Sequence, residues 1–104
     1  MNDGPGLRRL SEQEKVVRAF LRDGRLVSIP ARPGKRGLLL PVILDRCFPE
    51  DRDYEEKDVN MRLALLRQDV AALRRYLVDG RLMTREAGIY RRARPMATEP
   101  APPD

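Results

Sequence analysis

The chain has 104 residues, enough for one domain with one modest core. It carries a formal net charge of +5, a single cysteine and no histidine, which excludes an intramolecular disulfide, a histidine-bearing zinc site and a histidine-dependent catalytic triad. No apolar run reaches the ~20 residues that span a bilayer, and the start MNDGPGLRRL lacks the apolar stretch of a signal peptide, so a cytoplasmic protein is expected.

Residues 1–10 contain Gly4, Pro5 and Gly6 and are expected to be a flexible N-terminus. Ser11 followed by Glu14 spells a capping box, and Val16, Val17, Phe20 and Leu21 recur at helical spacing. Gly24 suits the left-handed residue that closes this helix. Arg25 to Ile29 reads as a short strand ended by Pro30. Ala31 to Gly37 then reads as a basic loop whose Arg32, Lys35 and Arg36 are candidates for phosphate contact, against the plainer reading of a solvated loop.

Leu38 to Phe48 is the most apolar stretch and reads as a buried helix. Pro41 suits only a first turn, so regular helix is expected from near Leu40. Cys47 falls inside it as a small buried hydrophobe with no neighbouring base to make it a redox thiol. Pro49 to Asp53 is a turn, and Tyr54 an extended residue before a helix from Glu56 to Leu66 with Val59, Leu63 and Leu66 inward. Glu55, Glu56 and Asp58 suit the start of that helix, where its dipole favours acids, and this structural role is preferred to metal binding.

Asp69 is a good N-cap for a helix from Val70 to Asp79, stopped by Gly80. Val70, Leu73 and Leu77 share its apolar face, Ala72, Arg75 and Asp79 lie opposite, and Arg74 sits at the edge, placed to pair with an acid of the preceding helix. Arg81 to Arg85 and Ile89 to Ala93 read as a hairpin around Glu86-Ala87-Gly88, anchored in the core by Leu82 and Tyr90. The Pro-rich residues 94–104 are expected to be a disordered tail, leaving a single domain over 11–93.

Charge is uneven along the chain. Arg25 to Cys47 has five basic and one acidic side chain, Phe48 to Asn60 two and six, and Met61 to Arg94 nine and three. A bipolar surface is therefore expected. Eighteen of the 21 basic residues are arginine, a bias that codon composition explains as well as phosphate binding does.

From Leu38 the predicted order is helix, extended turn, helix, tight turn, helix, hairpin. The expected fold class is α+β, mostly helical, and winged helix-turn-helix-like with an extra N-terminal helix and strand. The strings GRLVSIPARPGKR, Tyr54-Glu55-Glu56 with Asp58-Val59-Asn60, DVAALRRYLVDGRLMTRE and Tyr90-Arg91 resemble a bacterial family, domain-of-unknown-function family 2087, over roughly Phe20 to Arg92. The resemblance implies a stand-alone module, or one attached to helix-turn-helix regulators, with no settled biochemical activity. Two positions depart from its pattern: Glu55 stands where the family has a Thr or Ser cap, and Pro41 interrupts a helix that family members start earlier.

The expected function is non-enzymatic, since no nucleophile–base pair is present, and no cofactor, metal or small-molecule substrate is evident. The first reading is a DNA-binding transcriptional regulator or its accessory module, with Gln68, Arg75, Arg85, Arg91 and Arg92 joining Arg32, Lys35 and Arg36 at duplex DNA. Arg91 and Arg92 point to opposite faces of a strand, so at most one faces a given ligand. Small or acidic Ala72, Asp69 and Asp79 weigh against a base-reading helix. The rival is a protein-interaction or homodimerisation module, which an exposed apolar patch on Val17, Leu21 or Val78 would favour.

Overall fold

The computed structural model describes residues 10–93. Helix α1 spans Glu12–Phe20. Its capping box forms as the sequence requires: Glu14 N–H donates to Ser11 Oγ at 3.0 Å, and Ser11 N–H to Glu14 Oε1 at 2.8 Å. Val16 is buried against helix α2, Pro33–Cys47. Gly24 is left-handed at φ 77, yet it does not cap a helix. Asp23 precedes it at φ 53, and two consecutive left-handed residues make the tight turn that matches strand twist. The result is a small hairpin, β1 Leu21–Arg22 paired antiparallel with β2 Arg25–Leu26. The strand expected over Arg25 to Ile29 thus shrinks to two residues, and Leu21 belongs to its partner rather than to the helix.

The largest correction concerns residues 31–37. They are not a loop before a helix at Leu40, because Pro33 itself opens α2. Proline lacks only a donor that a first-turn residue leaves unused, and its fixed φ is already helical. Arg32 precedes it with the extended backbone that a residue before proline favours, and becomes the N-cap. Pro41 therefore lies inside the helix, where it cannot donate to the carbonyl of Gly37. Gly37 is exposed, so water can meet that carbonyl. Leu39, Leu40, Ile43, Leu44 and Cys47 form the buried stripe.

Next come β3 Asp53–Glu55, α3 Glu56–Ala64, α4 Val70–Asp79, β4 Met83–Glu86 and β5 Ile89–Arg92. Tyr54, expected as an extended turn residue, is the centre of a true strand. The sheet order is β3-β5-β4, all antiparallel, and Tyr54 faces Tyr90 across it. Both rings are buried, and Phe48 packs edge-on against Tyr54 at 5.0 Å between centroids. Helix α3 ends two residues early, yet Leu66 stays buried beside Val59 and Leu63. Helix α4 has the expected bounds, with Asp69 Oδ1 accepting from Ala72 N–H at 3.4 Å. Gly80 follows it at φ −81; a Cβ there would lie 3.0 Å from the Tyr76 carbonyl oxygen.

The second hairpin turns on Ala87 and Gly88 alone, at φ 53 and 81, so Glu86 stays in the strand. Met83 replaces the expected Leu82 as the buried anchor beside Tyr90, while Leu82 is only partly covered. Among the described residues the fold is α+β and about half helical, with four helices and two small antiparallel sheets around one core. The terminal segments 1–9 and 94–104 lie outside the described residues.

Leu73 is fully buried at the centre of this core. Leu73→Ala is expected to cost about 2–5 kcal/mol in urea unfolding. Ser11→Ala, which removes only the α1 cap, is expected to cost about 1 kcal/mol.

Candidate functional site

Helix α4 and the β4–β5 hairpin enclose an open groove of about 310 Å³. Arg74 and Arg75 line it from α4, and Arg85 and Tyr90, direct cross-strand partners, line it from the hairpin. Asp79 is the acid in its lining, and Glu56, at the start of α3, is a second acid beside it, bonded to three of the lining residues. Tyr90 OH donates to Glu56 Oε1 at 3.1 Å. Arg85 Nη2 lies 3.5 Å from Glu56 Oε1, and Arg74 Nη1 lies 3.8 Å from Glu56 Oε2. Arg74 also hydrogen-bonds the Asn60 side chain on α3. Its expected pairing with an acid of the preceding helix is therefore present. Arg75 is exposed and has no acidic partner among the described residues.

The remaining candidates do not gather here. Arg91 pairs with Asp53 at 2.9 Å and Asp51 at 3.6 Å, and Arg92 with Asp45 at 2.9 Å and the Phe48 carbonyl at 2.7 Å. They leave opposite faces of β5, as strand alternation demands. The hydrogen bond to Asp53, then the charge of Asp51, holds Arg91 more firmly protonated than usual. Arg36 turns inward, donating to the carbonyls of Pro30 and Ala31 at 3.2 and 2.9 Å and stacking 4.3 Å over Tyr76. Arg32 and Lys35 are exposed at the start of α2, outside the groove. Gln68 is exposed in the α3–α4 turn and lines a separate hollow.

The bipolar surface expected from the charge blocks is thereby corrected. The blocks are separate in sequence, but β3 pairs with β5, so the acidic segment lies beside the arginines of the last strand. Tyr90, read only as a core anchor, lines the groove, and Glu56 beside it was read only as an acid at a helix start. The spacing of Tyr54 and Glu56 was visible, but nothing local indicated which distant strand Tyr54 would meet.

Burial pushes the Tyr90 phenol up, and its hydrogen bond to Glu56 adds to this. Burial likewise pushes the Cys47 thiol up, against the opposing charges of Arg62 and Arg46. Cys47 is buried as expected, its thiol 4.0 Å from the Arg62 carbonyl. Among the described residues no cluster of His, Cys, Asp or Glu could hold a metal ion, and no helix is long and apolar enough to cross a membrane.

With this geometry in place, residues 25–92 match the family model described as an uncharacterized protein conserved in bacteria, DUF2087, and the chain belongs to that family. No curated protein and no solved structure matches the chain significantly.

Both raised groups favour their neutral forms in the folded state. Their contribution to stability is complete below the ordinary thiol and phenol values and is lost as pH rises through the raised ones. Thermal melts are expected to hold steady near neutrality and fall in alkali. Alkylation of Cys47 near neutral pH should keep pace with global unfolding; rapid labelling of the native protein would contradict a buried, protonated thiol.

Proposed function

We propose that this member of the family is a non-enzymatic module that binds duplex DNA in gene regulation, through α4 and the β4–β5 hairpin. The observation that carries this is the groove between them, where three guanidiniums converge and Arg75 has no acidic partner. The order α2, β3, α3, α4, β4, β5 with sheet order β3-β5-β4 supports a winged helix-turn-helix arrangement. In that arrangement α4 faces the major groove and the hairpin is the wing. A role on DNA would make the protein cytoplasmic.

Affinity in such an interface comes chiefly from arginine on phosphate. Base reading would be slight, because the outer face of α4 offers Ala71, Ala72 and Asp79 beside Arg75. Of the hairpin arginines, Arg85 is held least closely, at 3.5 Å from its acid, and half its side chain is exposed. Exposed ion pairs of this kind are worth about 0–1 kcal/mol, so a phosphate can displace Glu56.

A second reading, a docking module for a protein partner or a second copy, is favoured by a different observation. Met61 and Leu65 lie one turn apart on the outer side of α3 and its C-cap, 62% and 73% exposed. The positions first considered for such a patch, Val17, Leu21 and Val78, are instead partly buried against the core.

Removing Arg75 and Arg85 together is expected to weaken duplex binding and flatten the slope of log affinity against log salt by about two units. Glu56→Gln keeps an acceptor for Tyr90 and removes the competing charge, so affinity is expected to rise. Fluorescence anisotropy across a salt series reads both. Unchanged affinity in the double arginine variant would remove the DNA reading. Dimerisation that Leu65→Glu abolishes would turn the case toward docking.

A further inference from the structure

The first hairpin is fastened to the turn between α3 and α4. Leu26 N–H donates to the Leu66 carbonyl at 2.9 Å. Arg67 Nη1 donates to the carbonyls of Leu26 and Val27 at 3.3 and 2.7 Å, and Arg25 Nη1 to that of Leu65 at 3.4 Å. Arg25, Leu26, Arg67, Gln68 and Asp69 line an open hollow of about 370 Å³ beside the start of α4.

Charge at this end is balanced differently from the other hairpin. Arg22 and Arg25 are direct cross-strand partners, and both are exposed. Like charges placed opposite each other on a ladder destabilise it. Among the described residues none of Arg22, Arg25 and Arg67 has an acidic ion-pair partner, whereas Arg85, Arg91 and Arg92 each have one. The nearby acids are Asp23, in the turn, and Asp69, whose carboxylate accepts from Ala72 N–H. A tight turn thus holds two like charges together, with no acid taken up to relieve them.

Distance adds the second half of the case. Ten helical residues make α4 about 15 Å long. The arginine-lined groove runs along the helix from Ala71 to Asp79, and its Arg75 stands six residues, about 9 Å along the axis, from Asp69 in the hollow at the first hairpin. The major groove of duplex DNA is about 12 Å wide, so phosphates on its two sides are spaced on the scale that separates Arg75 from this hollow. We infer that the β1–β2 hairpin is a second phosphate-binding site for duplex DNA. Arg22 and Arg25 meet one backbone while Arg75 and Arg85 meet the other. This rests on the DNA-binding role proposed above and assigns a contact to the N-terminal extension.

The test is anisotropy with a random duplex of about 20 base pairs over a salt series. Arg22→Ala with Arg25→Ala is expected to flatten the salt slope by about two units, as two phosphate contacts require. Arg22→Lys with Arg25→Lys keeps both charges and is expected to retain the wild-type slope. Matched thermal melts show that each variant is folded. If the wild type binds and the alanine pair keeps its slope, the second site is wrong while the α4 groove stands. Equal loss in the lysine and alanine pairs would also overturn it, because charge would not be the agent. If the wild type binds no duplex, the DNA role falls and this site with it.

Discussion

The pairing of β3 with β5 is the contact on which the rest depends. It joins residues 36 positions apart, Tyr54 and Tyr90, in a single buried cross-strand pair. Aromatic cross-strand pairs are among the stronger units of sheet stabilisation, and here both rings are also removed from water. Phe48 closes over Tyr54 from the end of α2, and Tyr90 OH reaches Glu56 at the start of α3. One strand pair therefore sets the positions of α2, α3 and the hairpin together. Moving β5 by one residue would turn Tyr90 to solvent and Arg91 into the core.

That register also decides the electrostatics. Asp53 faces Arg91 on the ladder, and Glu55 faces Ile89, so β3 carries its acids along the edge of the arginine-bearing strand. Each resulting ion pair is at least partly exposed and adds little to stability. Their larger effect is to cancel field. The arginines of the β4–β5 hairpin do not present a bare cationic face, and an anionic ligand must compete with acids already in place. Arg75 and the arginines of the first hairpin are among the cations that no acid of the described residues pairs with.

Much of the fold was legible because its signals are local. The Ser11 and Glu14 box, the Asp69 cap and a turn about Glu86-Ala87-Gly88 each need only a few neighbouring residues, and the hairpin and most helices appear near the expected positions. The failures involve competition or distance. Pro41 argued for a late helix start, yet Pro33 supplied an equally good first turn and the buried stripe from Leu39 to Cys47 overrode the internal proline. Gly24 was read as a helix stop, although with Asp23 before it the dipeptide is a strong hairpin turn. Gln68 and Arg75 were read together as DNA contacts, but separation in sequence gave no measure of their separation across the two hollows.

The N-terminal extension is bound into the same body as the family segment. The family match begins at Arg25, after α1, yet Val16 of α1 sits in one buried cluster with Leu26, Leu39 and Leu66. Helix α1 packs on α2, and β1 pairs with β2, the first strand of the family segment, which bonds to the α3–α4 turn through backbone and arginine donors. An element held by both apolar burial and directed hydrogen bonds does not drift relative to α4. Its arginines therefore stand at a fixed place beside the start of that helix. A mobile arm would lose entropy on meeting a phosphate, whereas this hairpin has already been ordered by folding. The same attachment that completes the core thus makes the extension a preorganised surface.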